Sequence, residues 1–170
     1  MNKLNCFYLL FFFWACTIQP DPDQLTITLA GDPKSLDPAL AVDVRSGQVN
    51  AFIYDNLVRF DSGSGILPGL AEFWQIDGNR TVYSFHLRDS VFFQDGEILT
   101  SNHVKESFER ILNPGTGSRN TWIFRDVVGT DSYKSGNANE VAGFIAFSNQ
   151  EFQIELTRPF APFLGFLAMP

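Results

Sequence analysis

At 170 residues, with 45% hydrophobic content and 18 Phe, the chain is long enough to bury the core of one ordinary domain. Its net charge of -7 is scattered without a basic run, which argues against a nucleic-acid partner. Its two cysteines, Cys6 and Cys16, both lie near the amino terminus, so the remainder holds neither a disulfide framework nor a Cys-based metal site.

The chain opens with Lys3 as a positive n-region, followed by an unbroken apolar run from Cys6 to Ala15. A run of that length suits the core of an export signal and falls short of the ~20 residues a membrane span needs. Residues 1–16 are therefore read as a signal peptide. Phe13-Trp14-Ala15-Cys16 resembles a bacterial lipobox, which would make Cys16 the lipidated first residue of the exported protein; the other reading of Cys16 is a thiol left beside a cleavage site. Residues 17–24, with two prolines and two aspartates, then form a linker.

Residues 25–170 carry the folded part. Leu25 to Ala30 alternates apolar residues with Thr, the period of a strand with one buried face, and Gly31-Asp32-Pro33 and Asp37-Pro38 are turns. From Ser46 to Val58 the residues Val49, Phe52, Ile53 and Leu57 recur at helical spacing, which predicts a helix capped by Ser46 with Phe52 and Ile53 inward. A hairpin is expected over Asp61 to Leu67. Next come the paired strands Phe73 to Ile76 and Thr81 to Leu87, joined by the turn Asp77-Gly78-Asn79, where Gly and Asn tolerate positive φ. A further aromatic strand, Val91-Phe92-Phe93, ends at Asp95-Gly96.

Thr100 or Ser101 is placed to cap a helix with an apolar face of Val104, Phe108, Ile111 and Leu112, which Asn113-Pro114-Gly115 ends. A polar loop over Thr116 to Asn120 follows, then a short helix within Trp122 to Val128 and a loop from Tyr133 to Asn139. Gly143 to Phe147 pairs with Phe152 to Leu156, and a last helix begins after Pro159. The chain closes on an apolar stretch, Phe160 to Met169, which is an aggregation hazard or an interface if it stands exposed.

None of the candidate chemistry is strong. His86 sits on an alternating strand and His103 in the first turn of a helix, without the spacing a metal site uses, so no metal and no cofactor is expected. Asp95 and Glu97 are close carboxylates, but Asp-Gly-Glu is first a turn sequence, in which Asp bonds neighbouring backbone amides. Neither Gly63-Ser64-Gly65 nor Gly115-Thr116-Gly117 precedes a helix as a phosphate loop requires, and no nucleophile elbow is present. The chain is not read as an enzyme. Trp74, Phe85, Phe92, Phe93 and Phe108 are assigned to the core, while Trp122 and Phe124, after the polar loop, face either core or cleft.

Taken in order, these segments form a signature. The turn Gly31-Asp32-Pro33-Lys34-Ser35-Leu36-Asp37-Pro38, the helix ending Asn56-Leu57-Val58, the strand ending His86-Leu87-Arg88, the Asp95-Gly96 turn and the capped helix through Arg110 follow with almost no slack. The succession resembles the family 5 extracellular solute-binding proteins, the oligopeptide, dipeptide and nickel receptors of bacterial ABC importers. The resemblance runs continuously through Ile111, about half of the chain, and more loosely beyond.

The resemblance implies a mixed α/β fold, the N-terminal part of a two-lobe periplasmic-binding-protein fold (type II, cluster C-like). The chain is expected to stop before the second lobe. The implied function is capture of a peptide or other small solute by hinge closure and delivery to the permease subunits, at the periplasmic face or cell surface, with a lipid anchor as the sole membrane contact. The alternative is a truncated exported lipoprotein acting only through protein contacts. Carried over by position, Asp43, Val44 and Ser46 would line the cleft floor, and Arg119, Asn120 and Trp122 would lie on the loop that touches the ligand.

Overall fold

A computed structural model describes residues 26–63 and 65–169. Its elements, in chain order, are α1 (Val44–Ile53), β1 (Val58–Phe60), β2 (Ile66–Pro68), β3 (Ala71–Ile76), β4 (Val82–Leu87), α2 (Ser101–Leu112), α3 (Thr130–Lys134), β5 (Phe144–Ala146), β6 (Glu151–Glu155) and α4 (Phe163–Phe166), with single 3-10 turns at Pro114–Thr116 and Thr121–Phe124. The expected signal peptide, the expected linker and Cys16 lie outside the described residues.

The centre is a four-stranded antiparallel sheet in the order β3-β4-β6-β5. β4 explains why it forms. Its residues alternate between half-buried and buried, so Tyr83, Phe85 and Leu87 face inward while Val82, Ser84 and His86 face out. In β6, Phe152 and Ile154 answer on the same face, opposite Phe85 and Tyr83 respectively. Helix α2 covers this face: Val104 and Leu112 are buried, and the Phe108 ring lies 4.7 Å from Phe124 and 5.6 Å from Phe144. Each buried Phe contributes roughly 1.5–3 kcal/mol, so this aromatic cluster is the main source of stability.

The turns follow the sequence with one correction. Asp77 accepts hydrogen bonds from the backbone N–H groups of Asn79, Thr81 and Val82, and the bond from Val82 is the main reason its carboxyl is held below the usual range. Positive φ falls on Arg80, at 58°, and not on Gly78 or Asn79. Three amides gathered on one carboxylate fix the loop strongly enough to hold Arg80 in the left-handed region. At the next hairpin Gly96 does take positive φ, Asp95 accepts from Glu97 N at 3.0 Å, and Phe92 and Ile98 form an isolated bridge in place of the expected strand. Phe92 and Phe93 stand exposed there, against their assignment to the core; of α2 the hairpin meets only the first turn, where the Phe93 ring lies edge-on to His103 at 5.2 Å.

Helix α2 begins as expected. Thr100 N donates to His103 Nδ1 at 3.1 Å, the reciprocal half of a capping box with His in the place of the usual Glu. An acceptor at Nδ1 puts the ring proton on Nε2, which faces Glu97 Oε1 at 3.5 Å. Asn113 ends the helix and caps the 3-10 turn that follows.

Farther along, the region from Trp122 to Val128 yields a 3-10 turn and then a bridge from Val127 to Leu156, while α3 occupies part of the expected loop. Gly143 is required where the chain enters β5: a Cβ there would meet Glu155 O and the Val127 side chain, each at 2.7 Å. The closing apolar stretch is largely covered, with only Ala161 and Pro162 exposed. Phe163, Leu167 and Ala168 are buried, Phe163 packs edge-on against Tyr83 at 5.1 Å, and Asn56 Nδ2 donates to Ala168 O.

The amino-terminal part departs most from expectation. Residues 26–30 are not a strand; none of their backbone groups pairs with another described residue, and an alternating pattern cannot make a strand without a neighbour. The helix predicted from Ser46 to Val58 runs from Val44 to Ile53. Asp43 is its N-cap, accepting from Ser46 N at 3.1 Å, and Ser46 lies one turn inside. The helix stops early because Leu57 O accepts Ala71 N and Asn56 O accepts Leu70 N, which commits those residues to the start of the hairpin β1–β2. Phe52 and Ile53 point outward, not inward.

Candidate functional site

The expected ligand residues fall on two stretches, 43–46 and 119–122, about 75 positions apart in the chain, and a row of polar ties brings those stretches together. Arg110 on α2 meets the Asp37 carboxylate with both guanidinium nitrogens, the Nη1–Oδ1 contact being 2.8 Å. That bond is the first cause holding the Asp37 carboxyl below its ordinary range, against a smaller opposing effect of burial. Asp37 also bonds Ala39 N through its side chain and Leu40 and Ala41 N through its carbonyl, which folds residues 37–41 into a tight turn. Ser118 Oγ then donates to Ala39 O at 2.5 Å, and Asn120 Nδ2 to Ala41 O at 2.9 Å.

Asn120 is thus seated two residues from Asp43. Its amide nitrogen is used in holding the two stretches together. Ser46 is buried, and its hydroxyl accepts from Lys34 N and Ser35 N while donating to Asp43 Oδ2 at 2.6 Å. The Ser46 bonds are also what lowers the Asp43 carboxyl below its usual range. Val44 is 78% exposed. Trp122 is 43% exposed and is propped by Phe166, whose ring it meets edge-on at 4.9 Å; Phe166 in turn lies 5.3 Å from Phe160. Phe124, two residues on, is core.

These residues therefore form a seam with an open surface. Ser46, Asp43 and Asn120 have internal partners, and Val44 and Trp122 present apolar groups outward. Sequence reasoning did not pick out Asp37, Arg110 and Ser118 as the residues that fix the seam. The available signal was an Asp in a Pro-containing turn and an Arg in the last turn of a helix, neither of which names its partner.

The other candidates resolve into structure. His86 stacks on Phe73 at 4.8 Å and bonds Glu151 at 2.6 Å across β4 and β6. Asp95 and Glu97 border a hollow of about 360 Å³ with Phe93, Gln94 and His103, where Asp95 serves the turn. A second hollow, of about 420 Å³, lies between Arg125, Asp126 and Arg158, where both arginines bond the one aspartate. Neither hollow is lined by the seam residues. Among the described residues no three His, Cys, Asp or Glu side chains converge as metal ligands, and no helix is long and apolar enough to cross a membrane.

Comparison with known proteins places the fold. The Escherichia coli probable D,D-dipeptide-binding periplasmic protein DdpA is 33% identical over 151 residues, covering 86% of this chain and 26% of its own length. The E. coli periplasmic murein peptide-binding protein MppA is 29% identical over 156 residues, covering 89% of this chain and 29% of its own. A solved structure of MppA in its unliganded open form superposes with a TM-score of 0.76 at 27% identity, over 83% of this chain and 28% of that one. The chain thus spans between a quarter and a third of the length of these relatives. Its mixed α/β architecture is that of one part of a two-lobe periplasmic binding protein. The family described as bacterial extracellular solute-binding proteins, family 5 Middle, matches residues 65–170, well over half of the sequence, and this chain belongs to that family.

Proposed function

We propose that this chain is part of the substrate-binding component of an ABC importer, which captures a peptide by hinge closure and hands it to the permease subunits. The observation that carries the reading is membership of a solute-binding family together with likeness to two relatives named for binding peptides, DdpA and MppA. Closure of two lobes around a solute makes and breaks no bond, and no catalytic role is assigned to any residue. Export fits a periplasmic or cell-surface location, with residues 1–16 as the signal and Cys16 as the lipid attachment point. Incorporation of labelled palmitate that Cys16→Ser abolishes would support that anchor.

In this reading the seam is the floor of the ligand cleft. Asp43 and Ser46 shape the start of α1, Asn120 sets the loop that carries Arg119, and Val44 and Trp122 supply apolar contact that accepts many side chains. The test is calorimetric titration of the full-length polypeptide with a tripeptide pool. Binding is expected, and Trp122→Ala is expected to weaken it about tenfold, or ~1.4 kcal/mol. A full-length protein that binds no member of the pool would overturn the reading.

A further inference from the structure

The polar ties of the seam hold its backbone, whereas the indole of Trp122 is held by something else. Ser118 Oγ and Asn120 Nδ2 fasten the loop to Ala39 and Ala41, and both bonds fall before residue 121. Thr121–Phe124 then makes one 3-10 turn, a geometry in which side chains three apart lie over one another. Phe124 goes into the core, while Trp122 and Arg125 project together toward residues 160–166. There Phe166 meets the Trp122 ring edge-on at 4.9 Å, Phe160 lies 5.3 Å from Phe166, and the Arg125 guanidinium stands 5.7 Å over the Phe160 ring.

We infer that Phe166 is a positioning residue for ligand capture: it fixes the Trp122 indole in the orientation in which the ligand floor uses it. This rests on the reading of the seam as that floor. Phe166 has a rigid footing, because it closes α4, where Phe163 and, just past the helix, Leu167 are buried and Phe163 packs edge-on against Tyr83 of β4 at 5.1 Å. A support thus runs from the central sheet through α4 to the floor. Phe166 itself is half-buried and Trp122 is 43% exposed, so their contact sits at the rim, where it orders the indole more than it fills the core.

The consequence is for affinity and for the class of peptide favoured. A tryptophan free to change rotamer must be ordered when a ligand arrives, and that entropy is subtracted from binding, whereas one already held has lost it on folding. The indole offers an apolar, stacking surface, so the benefit falls on peptides with apolar side chains and not on glycine, which has no side chain to place there. Binding of trileucine should therefore depend on Phe166, and binding of triglycine should not.

The test is calorimetric titration of the full-length polypeptide with trileucine and with triglycine, in wild type, Phe166→Ala, Trp122→Ala and the double variant. Phe166→Ala is expected to weaken trileucine binding about fivefold and triglycine binding less than about twofold. In the Trp122→Ala background Phe166→Ala should have no further effect, because a residue that acts only through another is silent once that other is gone. Phe166→Tyr, which keeps the ring, should bind trileucine within about twofold of wild type, and Phe166→Leu, which removes the ring, replaces Phe166→Ala should that variant fail to fold. The indole N–H signal of Trp122, assigned by NMR from its loss in Trp122→Phe, should lose order in Phe166→Ala without added peptide. Equal weakening for both peptides, or weakening that persists undiminished in Trp122→Ala, would show a general structural role and overturn the inference, as would an indole whose order is unchanged. The two claims separate: a wild type that binds neither peptide while Phe166→Ala loses indole order sinks the receptor reading and leaves Phe166 as the residue that positions Trp122, and trileucine binding that Phe166→Ala leaves intact sinks the positioning role alone.

Discussion

Residues 71–169 and residues 26–56 are held by different forces. The first region is organised around apolar burial: Phe85, Phe124, Phe144 and Phe152 are almost wholly excluded from water, and hydrogen bonds serve mainly to complete ladders and turns. The second is organised around polar ties, namely Asp37 with Arg110, Ser46 with Lys34 and Ser35, and Asn120 with Ala41. Apolar burial is non-directional and sums over area, whereas the ties are few, directional and partly exposed. The seam proposed as the ligand floor lies where the two regimes meet. A stable base therefore carries a strip whose attachment is cheap to loosen, as expected of an element that must respond to a ligand.

The largest break in this comparison is expected from Phe85→Ala. Phe85 is fully buried, opposite Phe152 in the ladder, and its truncation leaves a cavity in the core face of the sheet. A loss of about 3–5 kcal/mol is expected, read as faster exchange of the amide hydrogens of both β4 and β6. A loss below about 1 kcal/mol would mean that apolar burial is not what holds this region.

Arg110→Ala is expected to act on the other regime. Global stability should fall by no more than about 1 kcal/mol, because Arg110 is half exposed and solvent screens the pair. Exchange and proteolysis should rise selectively across residues 31–41, with β4 and β6 unchanged. Acid is expected to mimic the variant. The Asp37 carboxyl is held below its ordinary 3.8 when folded, so the contribution of the pair is complete above that value and fades as pH falls through the lower folded value. Loosening of residues 31–41 should therefore begin below about pH 4, and in Arg110→Ala that pH dependence should be weaker, the remainder coming from the Ala39 N–H bond to Asp37 and from Asp43. A uniform loss of protection over the whole molecule would show that the segment and the sheet are one cooperative unit.

The same division decides how much could be read from the sequence. Where burial alternates along a strand or repeats along a helix, the residues themselves carry the signal, and the β3–β4 hairpin, the β5–β6 pair and α2 fall at or near their predicted places. The aromatic spacing of Phe92 and Phe93 carried the same signal and misled, because periodicity does not say whether anything covers the face it marks. In the amino-terminal region the determining contacts join distant residues: Leu57 O to Ala71 N ends a helix that local spacing would extend, and Asp37 meets Arg110 across 73 positions. Pairings of that kind follow from the fold and not from neighbours in the chain. The seam was legible only as two stretches identified through family resemblance, while the ties that juxtapose them were not.

The smallest effect is expected at Phe92→Ser, and it sharpens the comparison from within the apolar part. Phe92 sits in as aromatic a context as Phe85, but it lies on the 91–98 hairpin with its ring exposed. Its backbone role is a single bridge to Ile98, which Ser sustains, and the turn is held independently by Asp95 accepting from Glu97 N and by the Phe93 N to Glu97 O bond. The change in stability should stay within about 0.5 kcal/mol, measured by the same exchange at β4 and β6. A cost comparable with that of Phe85→Ala would mean that this hairpin also meets a partner surface, and the division between buried base and exposed rim would have to be redrawn around it.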